Sequence, residues 1–229
     1  MSNIIPLNQF SYFKNCLSNK PTKTIELREF HDCIQNGEWE DATLKIRQAY
    51  DNGDHDKVER LKLNLPSVTL SIRTSTKEGK GLPEDAIHTG LLQVDIDGKD
   101  NPEKTPDEIR DILRTFSWIV SDFLSPKGDG VKGIAKIPPS FESHKAAFLE
   151  VERLLTTKGI IIDKATKDVK RNCFVSFDPE IYVNESPTEL PLADPAETRS
   201  PSTRNTKVTT KVDDRNGKAL QRIELALSA

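Results

Sequence analysis

Asp95 and Asp97 are the residues of this chain best placed to do chemistry. They stand one residue apart in the apolar run Leu91-Leu92-Gln93-Val94-Asp95-Ile96-Asp97, which stops at Gly98. On a strand, side chains two apart project from the same face, with Cβ atoms close enough to share one ligand. Two carboxylates held that way repel each other unless a cation lies between them, and removing one would relieve the repulsion. The natural cation is Mg²⁺ or Mn²⁺, hard ions that prefer carboxylate oxygen and keep positions open for phosphates. That chemistry points to phosphoryl or nucleotidyl transfer. The plain alternative is a strand running out into a polar turn, because Asp and Gly are ordinary turn residues.

Three more segments bear on the choice. In Ser125-Pro126-Lys127-Gly128-Asp129-Gly130-Val131-Lys132, Gly128 and Gly130 would let backbone N–H groups point into a concavity. Ser125, Lys127 and Lys132 add donors and positive charge, a composition suited to phosphate. It is not a Walker A loop, since no GKS/T ending precedes a helix; a ligand-free hairpin turn would use the same residues. In Phe174-Val175-Ser176-Phe177-Asp178-Pro179 a strand again delivers an acid at its end. Asp178 beside Asp95 and Asp97 would complete a two-metal site, although an Asp-Pro turn is common in any protein. The third segment, 163–171, carries basic residues up to Arg171 that could neutralise phosphate or touch a template backbone, or simply be solvated surface.

The elements that must position these residues can be read from periodicity. Ile25, Leu27, Phe30 and Ile34 have helical spacing from Thr24 to a stop at Gly37. A second helix is predicted over 39–50, with Ala42, Ile46 and Ala49 on one side, and a third over 55–63. Residues 1–23 give no clear pattern. After Pro66 the period changes, predicting strands at 68–72, 90–97, 118–121, 131–137 and 173–177. Helices are predicted from Thr105, with Ile109, Ile112 and Leu113 inward, and over 141–157, with Phe141, Ala147, Phe148, Val151, Leu154 and Leu155 inward. The organisation is therefore an N-terminal helical subdomain (1–65), an α+β core (66–184) and a flexible linker (185–229). That linker, rich in Pro, Ser, Thr and charge, is expected to end in a helix over 215–227 and to lead towards a further domain.

The 229 residues are 35% hydrophobic and 30% charged, with a net charge of −3, so any basic surface is local. Three scattered cysteines (Cys16, Cys33, Cys173) with no CxxC pair argue against a structural zinc site and fit a reducing compartment. No secretory leader or apolar run long enough to span a bilayer is visible, which gives a cytoplasmic expectation.

As an ordered set, the strand ending in DxD, the S-x-x-G-x-G-x-K hairpin and the strand ending in Asp178 resemble the three motifs of the archaeo-eukaryotic primase superfamily. The closest resemblance is to the primase-polymerase-like domain that precedes VirE-type and other helicase domains in mobile-element replication proteins. Gly37-Glu38-Trp39 and Leu65-Pro66 look typical of the same group, and the resemblance covers roughly residues 24–184. It implies an RRM-like sheet packed against helices, and transfer of an NTP or dNTP to a 3′-hydroxyl on a single-stranded DNA template and primer, next to a helicase domain or subunit. By that analogy Asp95, Asp97 and Asp178 would bind the catalytic Mg²⁺ or Mn²⁺ ions. Ser125, Gly128, Gly130 and Lys132 would hold the nucleotide's phosphates, with Arg171 a further candidate. Many members carry histidine where Lys132 stands; lysine can serve as a point charge for phosphate. Two other classes remain open: a non-catalytic DNA-binding accessory module, and another DxD metal-dependent phosphotransferase or nuclease.

Overall fold

The computed structural model describes residues 9–192. The chain opens with β1 (Gln9–Phe13), in the stretch without clear sequence pattern, and β2 (Lys23–Glu26). Three helices follow: α1 (Leu27–Asn36), α2 (Glu40–Asp51) and α3 (His55–Asn64). Helical spacing is thus realised from Leu27 onward, and Ile25 belongs to β2. Gly37 ends α1 with φ 87°, a left-handed conformation that glycine takes without a Cβ penalty. On α2 the buried residues are Thr43, Ile46 and Ala49; Ala42, expected among them, is exposed.

The second half runs β3 (Ser67–Thr69), β4 (Ile72–Arg73), β5 (Ile87–His88), β6 (Leu91–Ile96), α4 (Pro106–Arg114), β7 (Ile119–Leu124), β8 (Val131–Lys136), α5 (Phe141–Thr156), β9 (Cys173–Phe174) and β10 (Tyr182–Val183). The strand expected over 68–72 is broken at Leu70-Ser71. There the Thr69 hydroxyl donates to Ile72 O (2.9 Å) and the Thr89 hydroxyl to Leu70 O (2.6 Å), turning β4 towards β5. The last expected strand stops at Phe174: the Val175 N–H still donates in register to Pro66 O (3.1 Å), but Pro66 has no N–H to return the bond. Thr105 and Glu108 cap α4 reciprocally, and Ser140 caps α5.

The architecture is α+β, with antiparallel sheets throughout. One sheet has the order β2-β1-β3-β9, another β10-β7-β8-β6, and β4-β5 form a two-stranded ribbon. The first draws strands from both sides of residue 65, so packing is continuous across that expected subdomain boundary. Side chains of β6 alternate. Leu92, Val94 and Ile96 join Ile109 and Leu113 of α4 and Ala147, Phe148, Val151 and Leu155 of α5 in one core. Leu91 lies in a second core with Phe30, Ile34, Ile46, Phe123 and Ile134. Period two therefore puts Asp95 on the same side as Leu91 and Gln93, facing the N-terminal elements. Residues 185–192, expected as the start of a linker, are tied down: Leu190 is buried and donates its N–H to Lys136 O (2.9 Å). The helix expected at 215–227 lies outside the described residues. Among the described residues, no helix is long and apolar enough to cross a membrane.

Three histidines are built into these cores. The Gly90 N–H donates to His88 Nδ1 (3.0 Å), which leaves His88 Nε2 to donate to His144 Nδ1 (3.1 Å). His31 meets the Ser121 hydroxyl at 2.9 Å. Burial pushes all three down to about 4, for His88 with help from the neighbouring His144. The unfolded chain takes up protons near 6.5, so the stabilisation from keeping these rings neutral is complete above that pH and is lost as pH falls towards 4. The urea midpoint is expected to hold between pH 8 and 7 and to drop steadily below about 6.5; a midpoint unchanged down to pH 5 would contradict this account of the histidines.

Candidate functional site

Asp95 lies directly opposite Lys132 in the β6–β8 register. The Lys132 ammonium donates to Asp95 Oδ2 at 2.7 Å, and Gln93 Nε2 donates to the same oxygen at 3.2 Å. The Lys132 side chain is 6% exposed and that of Asp95 16%. Burial alone would lower the Lys132 pKa, but the attraction of Asp95 outweighs it and the net direction is up. Asp97, just past the strand, is more open and has Lys99 Nζ at 3.8 Å. The acid pair is thus held by lysines, and acid–acid repulsion is not what governs it. Removing Asp95 strands a buried ammonium, where the sequence alone suggests a relief of strain.

The 125–132 segment is the β7–β8 turn. Its backbone is largely satisfied within itself: Ser125 N–H donates to Gly130 O (2.8 Å), Gly128 N–H to Ser125 O (2.9 Å) and Gly130 N–H to the Ser125 hydroxyl (3.3 Å). The Gly128 and Gly130 amides therefore close the turn and do not form a free anion cradle, a correction to the expected role of both glycines. Gly128 is needed for its positive φ of 82°. Gly130 is needed for space, since a Cβ there would strike Ile96 O, and one on Gly98 would strike Asp129 O. The end of β6 and the hairpin touch through these two glycines. What the hairpin offers outward is its side chains. Lys127 is paired with Asp129 at 3.0 Å, and burial, which lowers its pKa, is outweighed by that carboxylate. Arg47 of α2, which the sequence did not single out, binds the hairpin from behind. Its Nη2 donates to Phe177 O (2.7 Å) and Ser125 O (3.4 Å).

A cleft of about 310 Å³ opens where these parts meet. Asp95, Asp97, Ser125, Lys127, Lys132 and Arg171 line it, so six of the expected site residues share one concavity. Lys62, Asn172 and Phe174 line it as well. Asp163 also lines it, and sequence reasoning passed over it as the start of a charged connector. Its N–H donates to Asp95 O (2.8 Å), and its carboxylate pairs with Arg171 (3.1 Å) and caps the Lys164–Lys167 turn through Ala165 N–H (2.9 Å). The usable signal was Ile160-Ile161-Ile162-Asp163, an apolar run ending in an acid, the same pattern that marks Asp95 and Asp97. A larger cavity, about 820 Å³, lies at the opposite end of β6 around Thr89, Gly90 and Leu91 and contains none of the expected site residues.

Asp178 is not among the lining residues. It is 2% exposed, and its carboxylate accepts from Leu124 N–H (2.9 Å) and Glu180 N–H (3.0 Å) with Arg110 Nη2 at 3.3 Å. Arg110 in turn donates through Nε to Asp122 (2.7 Å), which Arg114 also binds (2.9 Å). Asp178 thus anchors the residue before Ser125 from behind the hairpin, and the expected convergence of Asp95, Asp97 and Asp178 does not occur. Cys173 lies under the cleft with its thiol pushed up to about 12 by burial, which makes it a packing group and not a nucleophile.

Among the described residues, no group of three or more His, Cys, Asp or Glu side chains is arranged to hold a metal ion. The donors that gather in the cleft are nevertheless the hard oxygens that Mg²⁺ or Mn²⁺ prefers: Asp95, Asp97 and Asp163, each partnered by a basic side chain. The donor type suits such an ion, but each acid is turned to its own basic partner and the three do not form one ligand set.

Residues 60–183 match the family model described as BT4734-like, N-terminal domain, more than half of the 229-residue chain. The chain belongs to that family. The matched segment contains every cleft residue named above, whereas Arg47 precedes it. Comparison with curated proteins and with solved structures finds no match.

Removing Asp178 leaves Arg110 short of a buried partner, a loss of about 3–5 kcal/mol. Asp163→Ala, at a half-exposed pair and a turn cap, is expected to cost about 1 kcal/mol. Chemical denaturation of the two alanine variants checks this order; equal losses would refute the separate roles given to the two acids.

Proposed function

We propose that this chain is a primase-polymerase-like nucleotidyltransferase domain, joining an NTP or dNTP to the 3′-hydroxyl of a primer on single-stranded DNA. The observation that carries the reading is the shared cleft: the end of the acidic strand, the basic hairpin and the Asp163–Arg171 segment line one concavity although they are distant in sequence. The run β6-α4-β7-β8-α5 also follows the β-α-β-β-α order of ferredoxin-like and RRM-like cores, with the closing strand β10 beside β7 where those cores put it beside the first strand. In this reading Lys127, Lys132 and Arg171 bind and orient the triphosphate as point charges and a planar donor. Asp95 and Asp97 would offer carboxylate oxygens to the cation, and Asp163, paired with Arg171, lines the same cleft. A magnesium-type ion there would neutralise charge on the attacking and leaving oxygens. The new bond joins O3′ to the α-phosphorus, the α–β phosphoanhydride breaks, and pyrophosphate leaves as the hydroxyl proton passes to solvent.

One observation favours a second reading, a non-catalytic nucleic-acid-binding module: each cleft carboxylate is already paired with a lysine or arginine. Incorporation of labelled nucleotide on primed and unprimed single-stranded DNA, with Mn²⁺ or Mg²⁺ and with chelator, separates the two. Metal-dependent lengthening is expected, reduced about 100-fold or more by Asp97→Ala, an open position whose loss leaves no buried charge behind. Asp95→Asn, which still accepts from Lys132, is the matching variant for the buried acid. DNA binding without incorporation would establish the accessory module instead, and a shortened strand would indicate a nuclease.

A further inference from the structure

We propose that Asn101 is a positioning residue: its side-chain amide sets the separation of the two chain segments that bring Asp97 and Asp163 to the cleft. This rests on the reading above and adds to it a residue that lies outside the three motifs. Asn101 follows the short turn Gly98–Asp100 after β6, is 5% exposed and does not itself line the cleft. Its Nδ2 donates to Asp97 O (3.0 Å) and to Ile161 O (2.9 Å), and its Oδ1 accepts from Ile161 N–H (2.8 Å). Two carbonyls at the nitrogen and an N–H at the oxygen leave no doubt which way the amide points.

The amide takes the part of a neighbouring peptide. β6 has ended at Ile96, so Ile161 exchanges both of its backbone bonds with a side chain in place of a strand. Two residues on, the Asp163 N–H returns to the β6 backbone at Asp95 O (2.8 Å). Among the described residues these are the polar ties of 160–163 to β6 and the turn after it; Ile160 and Ile162 are held by packing in the core. Asp163 in turn carries Arg171 at 3.1 Å, so the place of that pair relative to Asp97 is set through one amide. Asp97 depends on it more than Asp95 does. Asp95 is held by the β6–β8 ladder and by Lys132, whereas Asp97 stands past the ladder with only an exposed Lys99 at 3.8 Å. No near-isostere replaces the amide, since aspartate has no N–H for the two carbonyls and glutamine is one methylene longer.

Amide hydrogen exchange on the intact chain tests the clamp independently of the chemistry. Ile161 is 56% exposed, yet its N–H is expected to be protected in the wild type; exchange there as fast as at an open amide would overturn the inference even where a variant fails to fold. Asn101→Ala is expected to speed exchange over 97–101 and 160–163 about tenfold or more, with β7 and β8 unchanged. Asn101→Asp is expected to do the same, and full protection in that variant would reduce Asn101 to a space-filler. Primer extension then reads the positioning. Turnover per folded molecule is expected to fall about tenfold or more in Asn101→Ala, with the KM for nucleotide within about threefold of the wild type. In an Asp97→Ala background the same substitution is expected to cost less than about threefold, whereas a general loss of folded protein would multiply with the first change. Unchanged turnover in Asn101→Ala, or an equal loss in both backgrounds, would overturn the inference and leave the proposed chemistry standing. A wild-type chain that incorporates nothing sinks the chemistry instead, and the exchange comparison then decides the clamp by itself.

Discussion

A buried ammonium beside a buried carboxylate, Lys132 on Asp95, is the interaction around which this molecule is organised. Either charge alone in that position would cost several kcal/mol. Together they allow a polar face to exist inside the fold, between the sheet β10-β7-β8-β6 and the N-terminal elements. The pairing also fixes the β6–β8 register from the polar side, since a slip by one residue would set Asp95 against the core that Leu92, Val94 and Ile96 share with α4 and α5. A strand that would otherwise be packed apolar on both faces can thus deliver acids to a surface.

A second buried charge network does quieter work behind the first. Arg110, Arg114, Asp122 and Asp178 link α4, β7 and the segment after β9, and Asp178 reaches the N–H of Leu124, next to Ser125. Arg47 grips the same region from α2 through backbone carbonyls. The hairpin that faces the cleft is therefore braced by charged groups on its far side. This explains why a strand-terminal aspartate can look catalytic from sequence and still be structural: both uses call for a carboxylate at the end of a strand.

Much of the fold was legible because its signals are local. The caps of α4 and α5, the stop at Gly37 and the alternation through β6 are each set by neighbouring residues. The gathering of Asp95, Asp97, Ser125, Lys127, Lys132 and Arg171 followed from motif order, and the cleft contains all six. What stayed hidden depends on contacts remote in sequence. Whether Asp163 or Asp178 turns into the cleft is decided by Arg110 and by the Asp163 N–H bond to Asp95 O, neither visible in spacing. Likewise Gly128 and Gly130 carry the same letter for different reasons, one for its dihedral and one for its missing methyl, and only the approach of Ile96 O tells them apart.

The close passage of Gly98 against Asp129, and of Gly130 against Ile96, has a mechanical consequence. With no atoms between the two backbones there is no slack, so the acid-bearing strand end and the lysine-bearing hairpin travel as one rigid body. The rest of the lining, Lys62 on α3 with Asn172 and Phe174 at β9, lies outside that contact.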